Sequence, residues 1–252
     1  MDRPPRLSLA AGTLRPGTTA EAAIRLAAAA GFDAVGLRPT PGWSATDVAR
    51  RAADAGISIL DIEVARIGTT EDEDADWLVD WAVEVGAAHV LVVSDVLDPS
   101  ATAAGLHRVA ARCAGSPLRP VLEFMRFTGV PDLASARAAV EAVGGSCIGI
   151  LVDALHLARA GGEPTDLADI PAARLPYFQV CDAPASGPAD GDLASEARYR
   201  RLLPGDGRLP LGALVAALPG RPISVEVQSE VGWSEPPESW VRRVHQAAAQ
   251  LG

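Results

Sequence analysis

A chain of 252 residues, 48% hydrophobic and 21% charged, has the size and composition of one globular domain with a large core. Its formal net charge of −10 argues against a nucleic-acid backbone as partner, because such binding needs clustered positive charge. Every basic residue is arginine, and the absence of lysine excludes Schiff-base aldolase chemistry, pyridoxal-phosphate chemistry and a lysine-dependent phosphate loop. Cys113, Cys147 and Cys181 are odd in number and far apart, so they read as reduced thiols and not as a disulfide frame or a zinc knuckle. The first residues lack a long apolar stretch, and no run approaches the roughly 18 apolar residues of a membrane span. A cytoplasmic protein with a small-molecule substrate and no membrane or nucleic-acid partner is the expectation.

Along the chain, short apolar runs alternate with alanine-rich amphipathic stretches. The run 7–11 precedes a helical pattern over 20–30 that stops at Gly31, and 34–37 precedes a pattern over 46–55 that stops at Gly56. The run 57–62 precedes the acidic stretch 71–85, stopped by Gly86, and 89–93 precedes 101–114. The second half repeats the scheme: 120–123 leads to 132–143, and 148–152 leads to a short polar segment. Then 177–181 leads through a long insertion to 211–218, and 223–227 leads to 237–251. Short continuous apolar runs separated by helices indicate parallel strands buried on both faces, and the glycine stops mark helix ends. Eight such units in this length predict a single α/β domain over residues 1–252, a closed (β/α)8 TIM barrel. An open sheet would carry a glycine-rich phosphate turn after its first strand, and Ala10-Ala-Gly-Thr-Leu14 is not one. The irregular segment 182–210, rich in Gly, Pro and Asp, reads as an active-site loop.

Reactive groups of such a barrel come from the C-terminal ends of its strands. The last four strands end in or carry Glu123, Asp153, Gln179 and Glu226. Three carboxylates and an amide buried together repel one another unless a cation joins them, and a hard divalent cation takes oxygen ligands. Against this stands the ordinary reading of each alone, a solvated or arginine-paired carboxylate and a core amide.

The order and spacing of several segments carry a resemblance: 28–37, Val121-Leu-Glu-Phe124, Val152-Asp-Ala-Leu-His156, Phe178-Gln-Val-Cys-Asp182, Pro204-Gly-Asp-Gly207 and Ser224-Val-Glu226. Over essentially its whole length the chain resembles the xylose-isomerase-like barrels, which include sugar phosphate isomerases and epimerases, inosose isomerases and 3-dehydroshikimate dehydratases. The resemblance implies metal ligands at Glu123, Asp153, Gln179 and Glu226, with Glu123 and Glu226 also acting as acid and base. Gln179 departs from the histidine usual there, making the set all-oxygen, which favours Mn²⁺ or Mg²⁺ over Co²⁺ or Zn²⁺. Glutamine at this place also resembles the dehydratase branch. His156 matches an Asp-x-x-His pattern whose histidine contacts substrate or supports the site.

Other candidates near the mouth are Glu63, Arg38 and Arg66, where a substrate contact competes with a salt bridge. The insertion carries Glu196, Arg198, Arg200 and Arg201, an anion clamp or a solvated helix face, and Arg198 is taken as its substrate contact. Trp233 reads as a pocket wall or a subunit contact, Trp240 as core. The leading expectation is a metal-dependent isomerase or epimerase of a keto-sugar or keto-cyclitol, working through an enediolate. The same enolate with loss of a β-hydroxyl would make a lyase, with His156 as base. A phosphodiesterase like endonuclease IV needs more histidines and a basic face, and the retained oxygen ligands argue against a non-catalytic binding barrel, for which Gln179 is the one sign of lost activity. Relatives of this type often pair, so a homodimer is admitted.

Overall fold

The computed structural model describes residues 6–68, 72–144 and 147–251. Eight parallel strands lie in sequence order around a closed barrel: β1 (Leu7–Leu9), β2 (Ala34–Leu37), β3 (Ser58–Ile67), β4 (His89–Ser94), β5 (Arg119–Glu123), β6 (Gly149–Asp153), β7 (Phe178–Val180) and β8 (Ile223–Val225). Closure comes from β8 pairing with β1, Ser8 level with Ser224. The helices are α1 (Ala20–Ala30), α2 (Ala45–Asp54), α3 (Asp72–Val85), α4 (Pro99–Cys113), α5 (Leu133–Val143), α6 (Ala154–Arg159), α7 (Leu193–Tyr199), α8 (Leu211–Ala217), α9 (Glu230–Trp233) and α10 (Pro237–Ala248). The chain is thus the (β/α)8 barrel that its patterning predicts. No helix among the described residues is long and apolar enough to cross a membrane.

Local chemistry sets the helix ends. Thr19, Ser44, Asp98 and Asp132 each accept a backbone N–H from the first turn of α1, α2, α4 and α5, satisfying donors that have no partner inside the helix. Gly31 closes α1 in the left-handed region at φ 95°, where a side chain would clash, and its N–H returns to Ala27 O.

Side chains alternate across each strand. In β4, Val90 and Val92 face the helices, while Leu91 and Val93 join Ala34, Leu60, Val121, Leu151 and Tyr177 in a smaller cluster that fills the barrel. Continuing that inner face by two residues leads from Val121 to Glu123, from Leu151 to Asp153 and from Tyr177 to Gln179. Periodicity alone therefore delivers these polar groups to the mouth.

Four sequence expectations change. The polar segment after β6 is a helix, α6, because Asp153 caps it and Ala154-Leu-His-Leu-Ala-Arg159 favours helix. The insertion 182–210 is not wholly irregular: α7 packs Leu193 and Ala197 inward, and Glu196 grips Arg159 through two 2.8 Å bonds. The third strand does not stop at residue 62; a register shift between Ile62 and Ala65 carries β3 through Glu63 and Arg66 to Ile67. Strand β8 stops at Val225, one residue before Glu226, although the Glu226 N–H still bonds Val180 O at 2.9 Å. The expected start of the third helix at residue 71 lies outside the described residues.

Candidate metal and acid–base site

The mouth of the barrel gathers Glu63, Glu123, Asp153, His156 and Glu226, all buried, and all of these but Asp153 line a cavity of about 260 Å³. One ligand atom from each of Glu123, Asp153 and His156 lies within 4.8 Å of the others. Asp153 is level with Gln179, and Gln179 with Ser224, so Gln179 sits directly beside this group. Gln179 is fully buried, and neither its amide oxygen nor its nitrogen has a partner among the described residues. A wholly buried amide without hydrogen bonds is strongly unfavourable and marks a place for a ligand.

Two arginines balance part of the charge. Arg38, from the end of β2, bonds Glu63 at 2.8 Å and reaches Glu226 at 3.5 Å. Arg201, only 2% exposed, bonds Asp153 at 2.6 Å and Glu226 at 3.1 Å. Arg201 is set by the chain around it: Asp182 and Leu202 exchange backbone bonds of 2.9 and 2.8 Å, and the Arg201 N–H donates to Gln228 O at 3.0 Å. The Asp182 carboxylate then accepts the N–H groups of Ala183, Gly205 and Leu209, each at 2.9 Å, fixing the Pro204-Gly-Asp-Gly207 turn.

Four buried carboxylates against two guanidiniums leave a formal charge of −2 at the mouth. The deficit centres on Glu123, whose nearest basic partner is His156 Nε2 at 3.8 Å. Burial, then Glu226 and Asp153, push the Glu123 carboxyl far above the ordinary range. Burial lifts Glu226 to about 7 despite Arg201. Burial also acts on Asp153, but Arg201 and His156 outweigh it and hold that carboxyl below its usual value. Burial lowers His156 to about 4, so its imidazole is neutral near pH 7. A neutral imidazole, unneutralised carboxylates and an orphaned amide oxygen suit a divalent cation, which would cancel the −2.

The remaining candidates separate clearly. Arg66 bonds Asp95 at 2.5 Å, so both Arg38 and Arg66 take the salt-bridge alternative while still lining the cavity. Arg198 lines the cavity as well, but Glu196 is held by Arg159, and Arg200 turns out to the Asp192 carbonyl at 3.3 Å. Trp233 walls the cavity and Trp240 is core, both donating to Thr13 O. Arg201 is the residue that sequence reasoning left unranked; the adjoining Pro-Gly-Asp-Gly turn is the signal that could have found it. A second unforeseen group lies deeper: Tyr177 OH donates to Asp61 at 2.6 Å, and His89 stacks on the Tyr177 ring at 4.9 Å.

Comparison with known proteins agrees with this fold. Residues 24–249 match the family model described as "Xylose isomerase-like TIM barrel". A 3-dehydroshikimate dehydratase of Pseudomonas aeruginosa is 30% identical over 79% of this chain, and the chain spans 34% of that protein's length. The IolI protein, solved with a binding zinc atom, superposes with a TM-score of 0.85 at 16% identity, covering 98% of this chain and 97% of its own. An L-ribulose 3-epimerase superposes with a TM-score of 0.74 at 15% identity, covering 98% and 94%. With a matching family model over nearly its whole length and the same closed barrel, the chain belongs to the xylose isomerase-like TIM barrel family.

Proposed function

We propose that this chain is a metal-dependent enzyme that moves a proton on the carbon beside a carbonyl of a small polyhydroxylated substrate, as an isomerase or epimerase. The observation that carries the reading is the uncompensated charge of the buried carboxylates at the mouth, centred on Glu123. Glu123 and Asp153 would hold one divalent ion, with Gln179 and with Glu226 or His156 completing the set. Oxygen ligands alone favour Mn²⁺ or Mg²⁺, and entry of His156 admits Co²⁺ or Zn²⁺. Such an ion supplies polarisation of the carbonyl, which acidifies the neighbouring C–H.

The side chains then divide the proton work. Glu226, buried at the cavity beside the metal-binding group, acts as base. Glu123 rises from β5, separated from β8 by two strands, and returns the proton from another side. Arg201 fixes Asp153 and Glu226 together, and Arg38 fixes Glu63 beside them. Trp233 and Phe127 wall the cavity and limit water.

A second reading, a lyase that expels a β-hydroxyl, is favoured by Gln179 and by the 30% identity to the dehydratase. There His156, neutral and buried, would take the proton. Both readings share the first step and are tested together. The metal-loaded protein is incubated in D₂O with neutral ketoses, keto-cyclitols and 3-dehydroshikimate, and products are followed by NMR. Deuterium beside the carbonyl with a rearranged product supports the isomerase, and a dehydrated product supports the lyase. Absence of exchange in every substrate, with metal bound, refutes both.

A further inference from the structure

Two buried charges sit close to the mouth without facing it. Arg159 ends α6 and Glu196 lies in α7, their side chains 7% and 6% exposed, and neither lines the cavity. Arg159 Nε and Nη2 donate to the two Glu196 oxygens, each at 2.8 Å, the forked geometry that makes a guanidinium–carboxylate pair directional. Nη2 also donates to Pro184 O at 2.9 Å. Gly187 lets the loop after β7 lie against this arginine, since a Cβ there would stand 2.9 Å from Arg159 Cδ. A planar group held at these points fixes where α7 lies relative to α6.

Each helix carries part of the site. Asp153 caps α6, its Oδ1 accepting the N–H groups of Leu155 and His156 at 2.8 and 3.0 Å. The helix that ends in Arg159 is therefore the one that orients Asp153 and His156. In α7 the residue after Glu196 is Ala197, and its carbonyl accepts Arg201 Nε at 2.7 Å. That bond sets the guanidinium plane, from which Nη1 reaches Asp153 at 2.6 Å and Nη2 reaches Glu226 at 3.1 Å. The contacts close a ring that runs from Asp153 along α6 to Arg159, across to Glu196, and through Ala197 and Arg201 back to Asp153. Loss of the Arg159 fork loosens α7, and with it the carbonyl that aims Arg201.

We propose that Arg159 is a positioning residue of this enzyme: through Glu196 and the Ala197 carbonyl it aims Arg201 at Asp153 and Glu226. It touches neither substrate nor metal. The proposal rests on the metal-dependent reading above, which makes Asp153 and Glu226 working groups, and adds to it a residue outside the cavity.

The test reads the Arg201 side chain directly. In the ¹⁵N-labelled full chain, the Arg201 Nε–H cross-peak is identified by its loss in Arg201→Lys. Its exchange with D₂O is then timed beside the backbone amides of β4 and β5. Arg159→Met is expected to speed exchange at Arg201 Nε–H about ten-fold or more, while those amides keep their wild-type rates; Arg159→Lys should fall between. Should Arg159→Met fail to fold, Glu196→Gln, which keeps the shape and loses the charge, carries the same comparison. An Arg201 Nε–H already unprotected in wild type, or a rate indifferent to these substitutions, would overturn the proposal. So would an equal acceleration at Arg201, β4 and β5, the mark of a pair that only stabilises the fold. Deuterium exchange into substrate supplies a second arm. Arg159→Met should slow it in the wild-type background and have no further effect on Arg201→Lys, whereas multiplying losses contradict action through Arg201. Failure of the metal-dependent reading is seen separately, as absent substrate exchange in the unsubstituted chain, and leaves the Arg201 measurement intact.

Discussion

Asp61 provides a sharp test of the electrostatic reasoning because it lies inside the barrel and forms no ion pair among the described residues. Tyr177 OH donates to one of its oxygens at 2.6 Å, and the other has no partner among the described residues. Burial raises its carboxyl from 3.8 to about 6, with the Tyr177 bond pulling the other way. A carboxyl raised on folding holds its proton longer in the native state than in the unfolded chain. Its contribution is therefore most favourable below 3.8 and is lost as pH rises toward 6. A shift of about two units at 1.36 kcal/mol each corresponds to about 3 kcal/mol lost by pH 7. Asp61→Asn keeps the shape and the acceptor for Tyr177 but removes the titration. We predict that it is more stable than wild type by up to about 3 kcal/mol at pH 7 and nearly equal at pH 4. Urea denaturation of both proteins at intervals between pH 4 and 7.5 measures the difference. A difference that stays flat with pH, or a variant weaker than wild type at pH 7, would refute the argument.

Further outcomes follow from the mouth. Binding of a divalent ion should release protons, because Glu123 is held far above its ordinary value and Glu226 near 7; calorimetry in buffers of different ionisation enthalpy should show this release, with affinity falling as pH drops below 7. His156, lowered to about 4, should show no titration between pH 5.5 and 8 in the ¹⁵N spectrum of the metal-free protein; an ordinary curve near 6.5 would contradict its burial. Gly12→Ala places a methyl group against Glu226 Oε1 and within 2.9 Å of the Gln228 side chain. Displacing Glu226 by about an ångström should lower kcat/KM on the order of 100-fold, while the protein stays folded by circular dichroism.

Much of this was legible in the sequence, for identifiable reasons. The strands are short apolar runs buried on both faces, and glycines stop the helices, so the barrel could be read directly. Glu123, Asp153 and Gln179 follow Val121, Leu151 and Tyr177 by two residues on an inward face, which is why their convergence was foreseeable. Arg201 was not singled out because Arg198, Arg200 and Arg201 share one short segment, and the backbone pairing of Asp182 with Leu202 decides which points inward. Asp61 lay hidden in an apolar run whose bulge carries the strand to Ile67, beyond the reach of simple alternation. Helix α7 is too short for its periodicity to show, and its Glu196–Arg159 pair joins residues 37 apart.

The central claim is that the mouth of this barrel holds one divalent ion. Elemental analysis after dialysis, of wild type beside Glu123→Gln, Asp153→Asn and Glu226→Gln, addresses it most directly. The account predicts close to one Mn²⁺ or other divalent ion per wild-type chain and its loss from Glu123→Gln and Asp153→Asn. Wild-type protein free of metal even after incubation with Mn²⁺, Mg²⁺, Co²⁺ and Zn²⁺ would contradict it and leave a non-catalytic binding barrel as the better description.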